Sequence, residues 1–169
     1  MYVRIAATKF ILEWITESLA SIYGIKEVIY SGETKYQKVD IVRTHDFGLV
    51  LLLDGLLQSA EIDEYIYHES LVHPAMIAHP NPKRVLIIGG GEGDTATEVA
   101  RYPAVEQIHM VDLDGELIEI VKKYLPWSKE GFSDPRLKLF IEEGRSFLSK
   151  QPDNFYDVII MDVTDPAED

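Results

Sequence analysis

The residues best suited to chemistry form a glycine run with a carboxylate in its middle. Val85 to Asp94 reads Val-Leu-Ile-Ile-Gly-Gly-Gly-Glu-Gly-Asp. The four apolar residues predict a buried parallel strand, and the glycines predict a tight turn into the helix-like segment Thr95 to Tyr102. Backbone N–H groups at such a turn typically approach a nucleotide-type ligand closely. We therefore predict ligand contacts at Gly89 and Gly91, with a purely structural turn as the alternative.

A second carboxylate ends the next predicted strand. Gln107 to Val111 runs directly into Asp112, at about the 20-residue distance from the glycines that suits a ribose hydroxyl. We predict that Asp112 binds the ribose. Helix capping is the alternative role, and it fits Asp114 better because that residue stands just before the helix-like segment Glu116 to Tyr124.

The charge of Glu92 narrows the type of ligand. A carboxylate inside the turn would repel a pyrophosphate, whereas it would suit a cofactor that ends in a cation. An adenosyl sulfonium compound fits this description. S-adenosylmethionine also carries a carboxylate, which Glu92 disfavours, while its decarboxylated form leaves only an ammonium group. The turn therefore favours decarboxylated S-adenosylmethionine.

The amino-acid composition of the chain limits the classes of function that it can have. The chain has 169 residues, of which 46% are hydrophobic and 27% charged, and it contains no cysteine. This composition is globular, and it excludes disulfides and thiol nucleophiles. The formal net charge of −13 argues against nucleic acid and suits a polycationic substrate, with solubility as the alternative reason for the acidity. With no membrane-spanning run and no signal-peptide pattern, we predict a soluble, cytoplasmic protein that does not bind membranes.

The first part of the chain predicts a small antiparallel β-domain. A helix is predicted from Phe10 to Ile22 by its apolar spacing, with Gly24 as a stop. Short segments rich in branched or aromatic residues then alternate with turn residues, which is typical of hairpins. The predicted strands are Glu27 to Tyr30, Tyr36 to Thr44, Leu49 to Leu53 and Leu56 to Ala60.

The rest of the chain predicts an α/β domain. A helix from Asp63 to Ala78 leads to a proline-rich break, and we place the domain boundary near Pro80, giving domains 1–79 and 80–169. Strands then alternate with helices, which predicts a parallel sheet with Leu137 to Ile141 as its third strand and Tyr156 to Met161 as its fourth. Four strands make half of a doubly wound sheet, so we expect the natural protein to continue past Asp169 or another chain to complete it.

Several motifs together resemble one family. They are Leu53-Asp54-Gly55, Gln58-Ser59-Ala60-Glu61, Asp63-Glu64-Tyr65-Ile66-Tyr67-His68-Glu69, His79-Pro80-Asn81-Pro82, Gly89 to Gly93 and Asp162-Val163-Thr164-Asp165-Pro166. In this order they closely resemble the spermidine synthase family of polyamine aminopropyltransferases, from about Ser31 to the end of the chain.

The resemblance implies a fold, a reaction and a set of site residues. The fold is an N-terminal β-domain before a Rossmann-like, class I methyltransferase-type sheet. The reaction transfers the aminopropyl group of decarboxylated S-adenosylmethionine to an amine, without a metal or prosthetic group, and releases methylthioadenosine. The implied assembly is a homodimer or homotetramer. The implied nucleoside contacts are Gln37, Glu92, Asp112 and Glu143, with Gln58 and His68 nearby; Asp162 assists the attacking amine, and Tyr67 and Asp165 help to hold it.

The residue types also make chemical sense. An amine must lose a proton to attack a carbon next to a sulfonium, so a carboxylate such as Asp162, at the end of the fourth strand, could orient the amine and accept the proton. Glu143 ends the third strand and could reach the adenine amino group, with a solvated loop as the alternative for Glu142 and Glu143. His73 and His79 are interpreted as packing or loop residues, because their spacing indicates no metal site.

Departures from the family pattern bear on the acceptor amine. Glu92 and Glu143 stand where putrescine-using members commonly have aspartate, and Ala167-Glu168-Asp169 replaces the usual glycine-proline. These details resemble members that use spermidine or agmatine, so we expect either of those amines rather than putrescine. Two other functions stay open: an S-adenosylmethionine-dependent methyltransferase, and a non-catalytic nucleoside-binding subunit.

Overall fold

The computed structural model describes residues 9–164, which belong to two compact units divided between Glu64 and Tyr65. The first unit is an antiparallel sheet, and the second is a parallel sheet with helices. Both sheets agree with the predicted fold class. The domain boundary near Pro80 stays a prediction; the compact units divide at the start of the preceding helix. Within residues 9–164 no helix combines the length and apolarity needed to cross a membrane.

The first unit is a five-stranded meander in which each strand pairs antiparallel with the next. One hydrophobic cluster brings together residues of four of its strands, namely Ile11, Val42, Val50, Leu52 and Ala60. The strands are β1 (Lys9–Thr16), β2 (Leu19–Glu33), β3 (Lys38–Thr44), β4 (Leu49–Leu53) and β5 (Leu56–Ala60). The last two were predicted with these bounds.

The predicted helix from Phe10 to Ile22 is wrong, because this stretch forms β1 and the start of β2. Ile11 lies opposite Tyr23 in the ladder, and the Leu19 N–H donates to Thr16 Oγ1 over 3.1 Å across the turn between the strands. Apolar residues occur on both faces of this hairpin, and together they imitate helical spacing. Pairing with the neighbouring strand overrides that weak periodicity.

The second unit contains a four-stranded parallel sheet with strand order β8-β7-β6-β9. The predicted third and fourth strands are therefore confirmed as β8 and β9. The elements that follow β5 are α1 (Glu64–Ala78), β6 (Arg84–Gly89), α2 (Asp94–Ala100), β7 (Gln107–Asp112), α3 (Gly115–Tyr124), α4 (Lys129–Ser133), β8 (Leu137–Ile141), α5 (Gly144–Ser149) and β9 (Val158–Asp162).

The helix α4 was not predicted from the sequence. It has five residues and lies between two prolines, so it has too little periodic sequence to be recognised. A methyl group on Gly131 would lie only 2.2 Å from the Gly93 carbonyl oxygen and 2.7 Å from the Thr97 nitrogen. The short helix therefore packs directly against the glycine turn and the first turn of α2.

Both faces of the parallel sheet are covered, which explains the uninterrupted apolar sequence of β6. On one face, Val72 and Met76 of α1 and Val99 of α2 join the cluster that contains Val85 and Ile87. On the other face, Phe147 of α5 packs with Leu86 and Val111. Because both faces of the sheet are packed, the carboxyl ends of the strands are held in place. The residues that follow the strands are positioned in the same way.

A buried histidine is part of the second face. His109 packs edge-on against Phe140 and Phe147, and its Nδ1 lies 2.7 Å from the Tyr156 hydroxyl oxygen. Gln107 Nε2 lies 2.6 Å from His109 Nε2. Because the Gln107 amide nitrogen can only donate, His109 Nε2 is the acceptor, as in a neutral ring. The proton of the neutral ring is then on Nδ1, which donates to the Tyr156 hydroxyl oxygen. Burial, with a smaller effect of Lys138, lowers the pKa of His109. Burial also raises the pKa of Tyr156 to about 12.

We expect this histidine to make stability pH-dependent. Because its folded pKa lies below the unfolded value, its contribution is fully present above about pH 6.5 and is lost as the pH falls through the folded pKa. Urea unfolding between pH 7.5 and pH 5 should show a smaller fall in the free energy of unfolding for His109→Gln than for wild type. His45→Gln, at an exposed position, is the control and should keep the wild-type slope. An unchanged slope in His109→Gln would contradict this prediction.

Candidate active site

The site is built where three parallel strands reach the same edge of the sheet. In the ladder Gly89, at the end of β6, lies opposite Asp162, at the end of β9. The Gly90 N–H donates to the Asp162 carbonyl oxygen over 2.8 Å. Asp112 ends β7, the neighbour of β6 on its other side. The chain thus brings two carboxylates to either side of one glycine turn, as expected at the carboxyl edge of such a sheet.

The glycine turn needs glycine for two separate reasons. Gly89 and Gly90 have φ values of 82° and 76°, which side chains rarely adopt. In addition, a methyl group on Gly89 would lie 2.0 Å from the Asp162 carbonyl oxygen. Gly91 has a similar restriction, because its methyl group would lie 2.9 Å from Asp112 Oδ2. The turn therefore packs directly against both flanking aspartates.

The carboxylate of Asp162 has donors on two sides. The Thr95 hydroxyl donates to Oδ2 over 2.6 Å, and the Tyr67 hydroxyl donates to Oδ1 over a longer 3.4 Å. Tyr67 is exposed on α1, whereas Asp162 is half-buried. The structure therefore brings together two of the predicted site residues, which are 95 positions apart in sequence.

Asp112 is held by backbone donors in a poorly hydrated place. Its Oδ1 accepts the Asp114 N–H over 2.8 Å, and the Gly91 N–H also donates to its carboxylate. Burial is the largest effect on this carboxyl and raises its pKa; the charges of Asp114 and Asp162 act in the same direction, against the two N–H donors. Hydroxyl donors or a positive charge from a ligand would stabilise the ionised form. Asp114 caps α3 through the Leu117 N–H, as predicted.

Glu143 has a structural role that sequence reasoning did not anticipate. It is the N-cap of α5, accepting the Arg145 N–H at Oε1 over 2.8 Å and the Ser146 N–H at Oε2 over 2.7 Å. These bonds lower the pKa of Glu143, and its neighbour Glu142 pairs with Lys150. Each carboxylate oxygen keeps a lone pair for another donor, so the adenine contact stays a prediction.

The remaining predicted site residues are distributed over both units. His68 is buried on α1, and Glu92 is half-buried in the glycine turn. Gln37 lies between β2 and β3, where its carbonyl oxygen accepts the Thr34 N–H over 2.9 Å, and Gln58 is half-buried on β5. Asp165 lies outside the described residues. The ligand contacts assigned to these five residues stay predictions.

His73 has more polar partners than a packing or loop residue needs. Its Nε2 lies 3.3 Å from Glu98 Oε2, and its Nδ1 lies 2.9 Å from the Tyr102 hydroxyl. Ligand atoms of Glu69, His73 and Glu98 lie within 4.8 Å of one another, a grouping that could hold a cation. Arg101 Nη2 lies 3.1 Å from Glu98 Oε1, so an ion-pair network between α1 and α2 also explains the group. The expected absence of a metal stays a prediction.

Two residues that sequence reasoning missed are Thr95 and Gly131. Thr95 follows the glycine turn at the start of a helix, where a threonine normally indicates local capping, so its bond to a distant strand left no signal in the sequence. Gly131 lies in α4, the short helix that was not predicted from the sequence.

Comparisons with known proteins identify the family to which the sequence is similar. Residues 64–168 match the family described as "Spermine/spermidine synthase domain", and residues 11–61 match "Spermidine synthase tetramerisation domain". "Polyamine aminopropyltransferase 1" of Hyperthermus butylicus is 47% identical over 151 residues, covering 88% of this chain and 52% of that protein. "Thermospermine synthase ACAULIS5" of Arabidopsis thaliana is 39% identical over 156 residues, covering 92% of this chain and 46% of that protein.

Solved structures give the same result. A spermidine synthase in complex with the transition state analogue AdoDATO superposes with a TM-score of 0.92 at 40% identity, over 98% of this chain and 57% of the other. The spermidine synthase of Thermotoga maritima gives a TM-score of 0.91 at 40% identity, over 99% and 57%. The chain spans about half the length of the curated relatives it matches. By its sequence and its fold, the chain belongs to the spermine/spermidine synthase family.

Proposed function

We propose that the protein carrying this chain is a polyamine aminopropyltransferase that uses decarboxylated S-adenosylmethionine. The observation that carries the proposal is the placement of Asp162 directly against the glycine turn, with its carboxylate held by Thr95. A base fixed beside the predicted adenosyl site is what transfer to an amine requires. The similarity to enzymes named as polyamine aminopropyltransferases supports this proposal.

In the proposed reaction, the acceptor amine attacks the aminopropyl group of the donor and Asp162 accepts a proton. The nitrogen lone pair of the acceptor amine forms a bond to the methylene carbon next to the sulfonium. The carbon–sulfur bond breaks, its electron pair returns to sulfur, and a neutral thioether leaves as methylthioadenosine. The proton lost by the nitrogen passes to Asp162, so charge and atoms balance. In this proposal Tyr67 helps to orient the amine, and its contact with the same carboxylate supports that role.

The acidic residues around the glycine turn suit both the cationic donor and the cationic acceptor amine. Asp112 and Asp162 flank the turn, and the charge of Asp162 contributes to the raised pKa of Asp112. An ammonium or sulfonium group between them would relieve this repulsion. Together with Glu92 and Glu143, this favours spermidine or agmatine over putrescine as the acceptor. The similarity to a thermospermine synthase supports that preference.

Donor binding tests the proposal against a methyltransferase. By isothermal titration calorimetry, decarboxylated S-adenosylmethionine should bind more tightly than S-adenosylmethionine, because Glu92 repels the carboxylate of the latter. The difference should shrink in Glu92→Gln and persist in Glu130→Gln, which changes an exposed carboxylate on α4. Tighter binding of S-adenosylmethionine by wild type would favour the methyltransferase and contradict the proposal.

Removing the charge of Asp112 should weaken nucleoside binding. If the ribose hydroxyls donate to this carboxylate, Asp112→Asn loses charged hydrogen bonds of about 1.5–3 kcal/mol, or roughly 10- to 100-fold in the Kd of methylthioadenosine. Calorimetry with methylthioadenosine measures the change. Asp153→Asn, at an exposed loop position, is the matched control and should bind like wild type. Equal Kd values for Asp112→Asn and wild type would contradict the ribose role.

The first unit offers a surface for assembly. Phe10, Leu12 and Trp14 are every second residue of β1, the first strand of the described sheet, so they lie on the same face. Their side chains are 43%, 53% and 61% exposed. Monomeric proteins rarely expose such a row of large apolar side chains. The match of residues 11–61 to a tetramerisation domain supports assembly through this unit, as a homodimer or homotetramer.

Introducing a charge on this row should break the assembly. We expect Trp14→Glu to shift the protein to a smaller species in size-exclusion chromatography with light scattering, because assembly would bury an unpaired carboxylate. Ile77→Glu introduces the same change at an exposed position on α1 and should keep the wild-type mass. An assembly that survives Trp14→Glu would argue against this surface.

A further inference from the structure

Thr95 and Thr97 are two buried threonines of the same short helix, and they use their hydroxyls differently. The Thr97 hydroxyl donates to the carbonyl oxygen of Gly93, the N-cap of the same helix, over 3.3 Å. The Thr95 hydroxyl leaves its helix and donates to Asp162 Oδ2 over 2.6 Å, joining residues 67 positions apart. Thr95 is fully buried, with 0% of its surface exposed. Hydrogen bonds between a hydroxyl and a carboxylate are short and strong at this distance.

The bond from Thr95 completes a set of contacts that fixes Asp162. The Gly90 N–H holds its carbonyl oxygen, and pairing with Gly89 fixes its backbone. With Oδ2 held by Thr95, Oδ1 is the oxygen on the side of the exposed Tyr67 hydroxyl. The two carboxylate oxygens therefore have different surroundings, one inside the protein and one toward an accessible group.

We infer that Thr95 is a positioning residue for the transfer step: it holds Oδ2 so that Oδ1 receives the proton of the acceptor amine. This inference rests on the proposed function and deepens it by dividing the work between the two oxygens of Asp162. Thr95 contacts neither substrate nor donor in this account. It acts through the orientation of the base, and a misplacement of about 1 Å can reduce a rate about 100-fold.

Steady-state kinetics on three variants tests the role of Thr95. We expect Thr95→Val to lower kcat by about 10- to 100-fold with both KM values within about twofold of wild type, because it affects only the transfer step. Thr95→Ser restores the hydroxyl and should keep kcat within about threefold. Thr97→Val, which removes the neighbouring buried hydroxyl, is the matched control and should behave like wild type. This split between kcat and KM, with rescue by serine, is not expected from a general loss of stability.

Two outcomes would overturn the inference, and they separate it from the proposed function. If wild type forms aminopropylated amine and Thr95→Val keeps its kcat, the positioning role is wrong and the proposed function stands. If wild type forms no such product, the proposed function fails, and a crystal structure of Thr95→Val decides on the positioning itself. We expect the Asp162 carboxylate to rotate in that structure. A carboxylate that keeps its wild-type orientation would show that Thr95 does not position it.

Discussion

Asp162→Asn is expected to lower kcat by about 100- to 10,000-fold, the range that a positioned general base typically contributes. The amide cannot accept the proton of the amine, while its size preserves the packing at the end of β9. The oxygen of the amide can still accept the Thr95 hydroxyl that now contacts Oδ2. We therefore expect the KM for the donor to change little, since this carboxylate acts on the amine and not on the nucleoside. Steady-state kinetics with methylthioadenosine release as the readout measures both parameters.

The control for this variant is a change of the same chemistry elsewhere. Asp153→Asn removes a carboxylate at an exposed position in the loop before β9 and should retain the wild-type kcat. If Asp162→Asn kept full turnover, its carboxylate could not be the base, and the arrangement of Thr95, Tyr67 and Asp162 would need another explanation.

Gly89→Ala is expected to destabilise the protein by about 2–5 kcal/mol, combining a left-handed backbone strain of about 1–2 kcal/mol with overpacking of about 1–3 kcal/mol. Its φ is 82°, and the added methyl group would lie 2.0 Å from the Asp162 carbonyl oxygen, which accepts the Gly90 N–H between the paired strands. Relief of this clash must separate β6 from β9. We therefore expect loss of activity together with the loss of stability, as measured by urea unfolding.

Gly55→Ala separates the two contributions. Gly55 has a similar φ of 85°, but an added methyl group there would meet no atom within 4 Å. It should show only the backbone strain of about 1–2 kcal/mol and keep the activity. Equal destabilisation by the two variants would mean that close approach to Asp162 is not what Gly89 provides.

The fold was predictable from sequence wherever one periodicity dominated. The strand β6 and the glycine turn were evident because burial on both faces leaves an unbroken apolar run followed by residues that only a turn explains. The β1–β2 hairpin was mistaken for a helix because large apolar side chains occur on both of its faces. The assembly surface that we propose for this unit offers a reason, since apolar side chains on a face that becomes buried on assembly would hide the alternation that indicates a strand.

From local sequence patterns alone, the candidate site was predictable only where a carboxylate ends a strand. Asp112 was identified because a polar residue after a buried strand stands out. The role of Asp162 came from the family resemblance, and its place at the end of the fourth strand agreed with it because a parallel sheet brings such residues to one edge. The contacts that orient them were not predictable. Thr95 reaches Asp162 only because α2 leaves the turn in a particular direction, and Glu143 turned out to cap α5. Such contacts depend on tertiary geometry that no local pattern records.

The most direct test of the account is a product assay by mass spectrometry. The protein carrying this chain receives decarboxylated S-adenosylmethionine with an equal mixture of putrescine, agmatine, spermidine and longer amines. We predict methylthioadenosine together with one dominant aminopropylated amine, derived from spermidine or agmatine. Folded protein that releases no methylthioadenosine and forms no aminopropylated amine would contradict the proposed function.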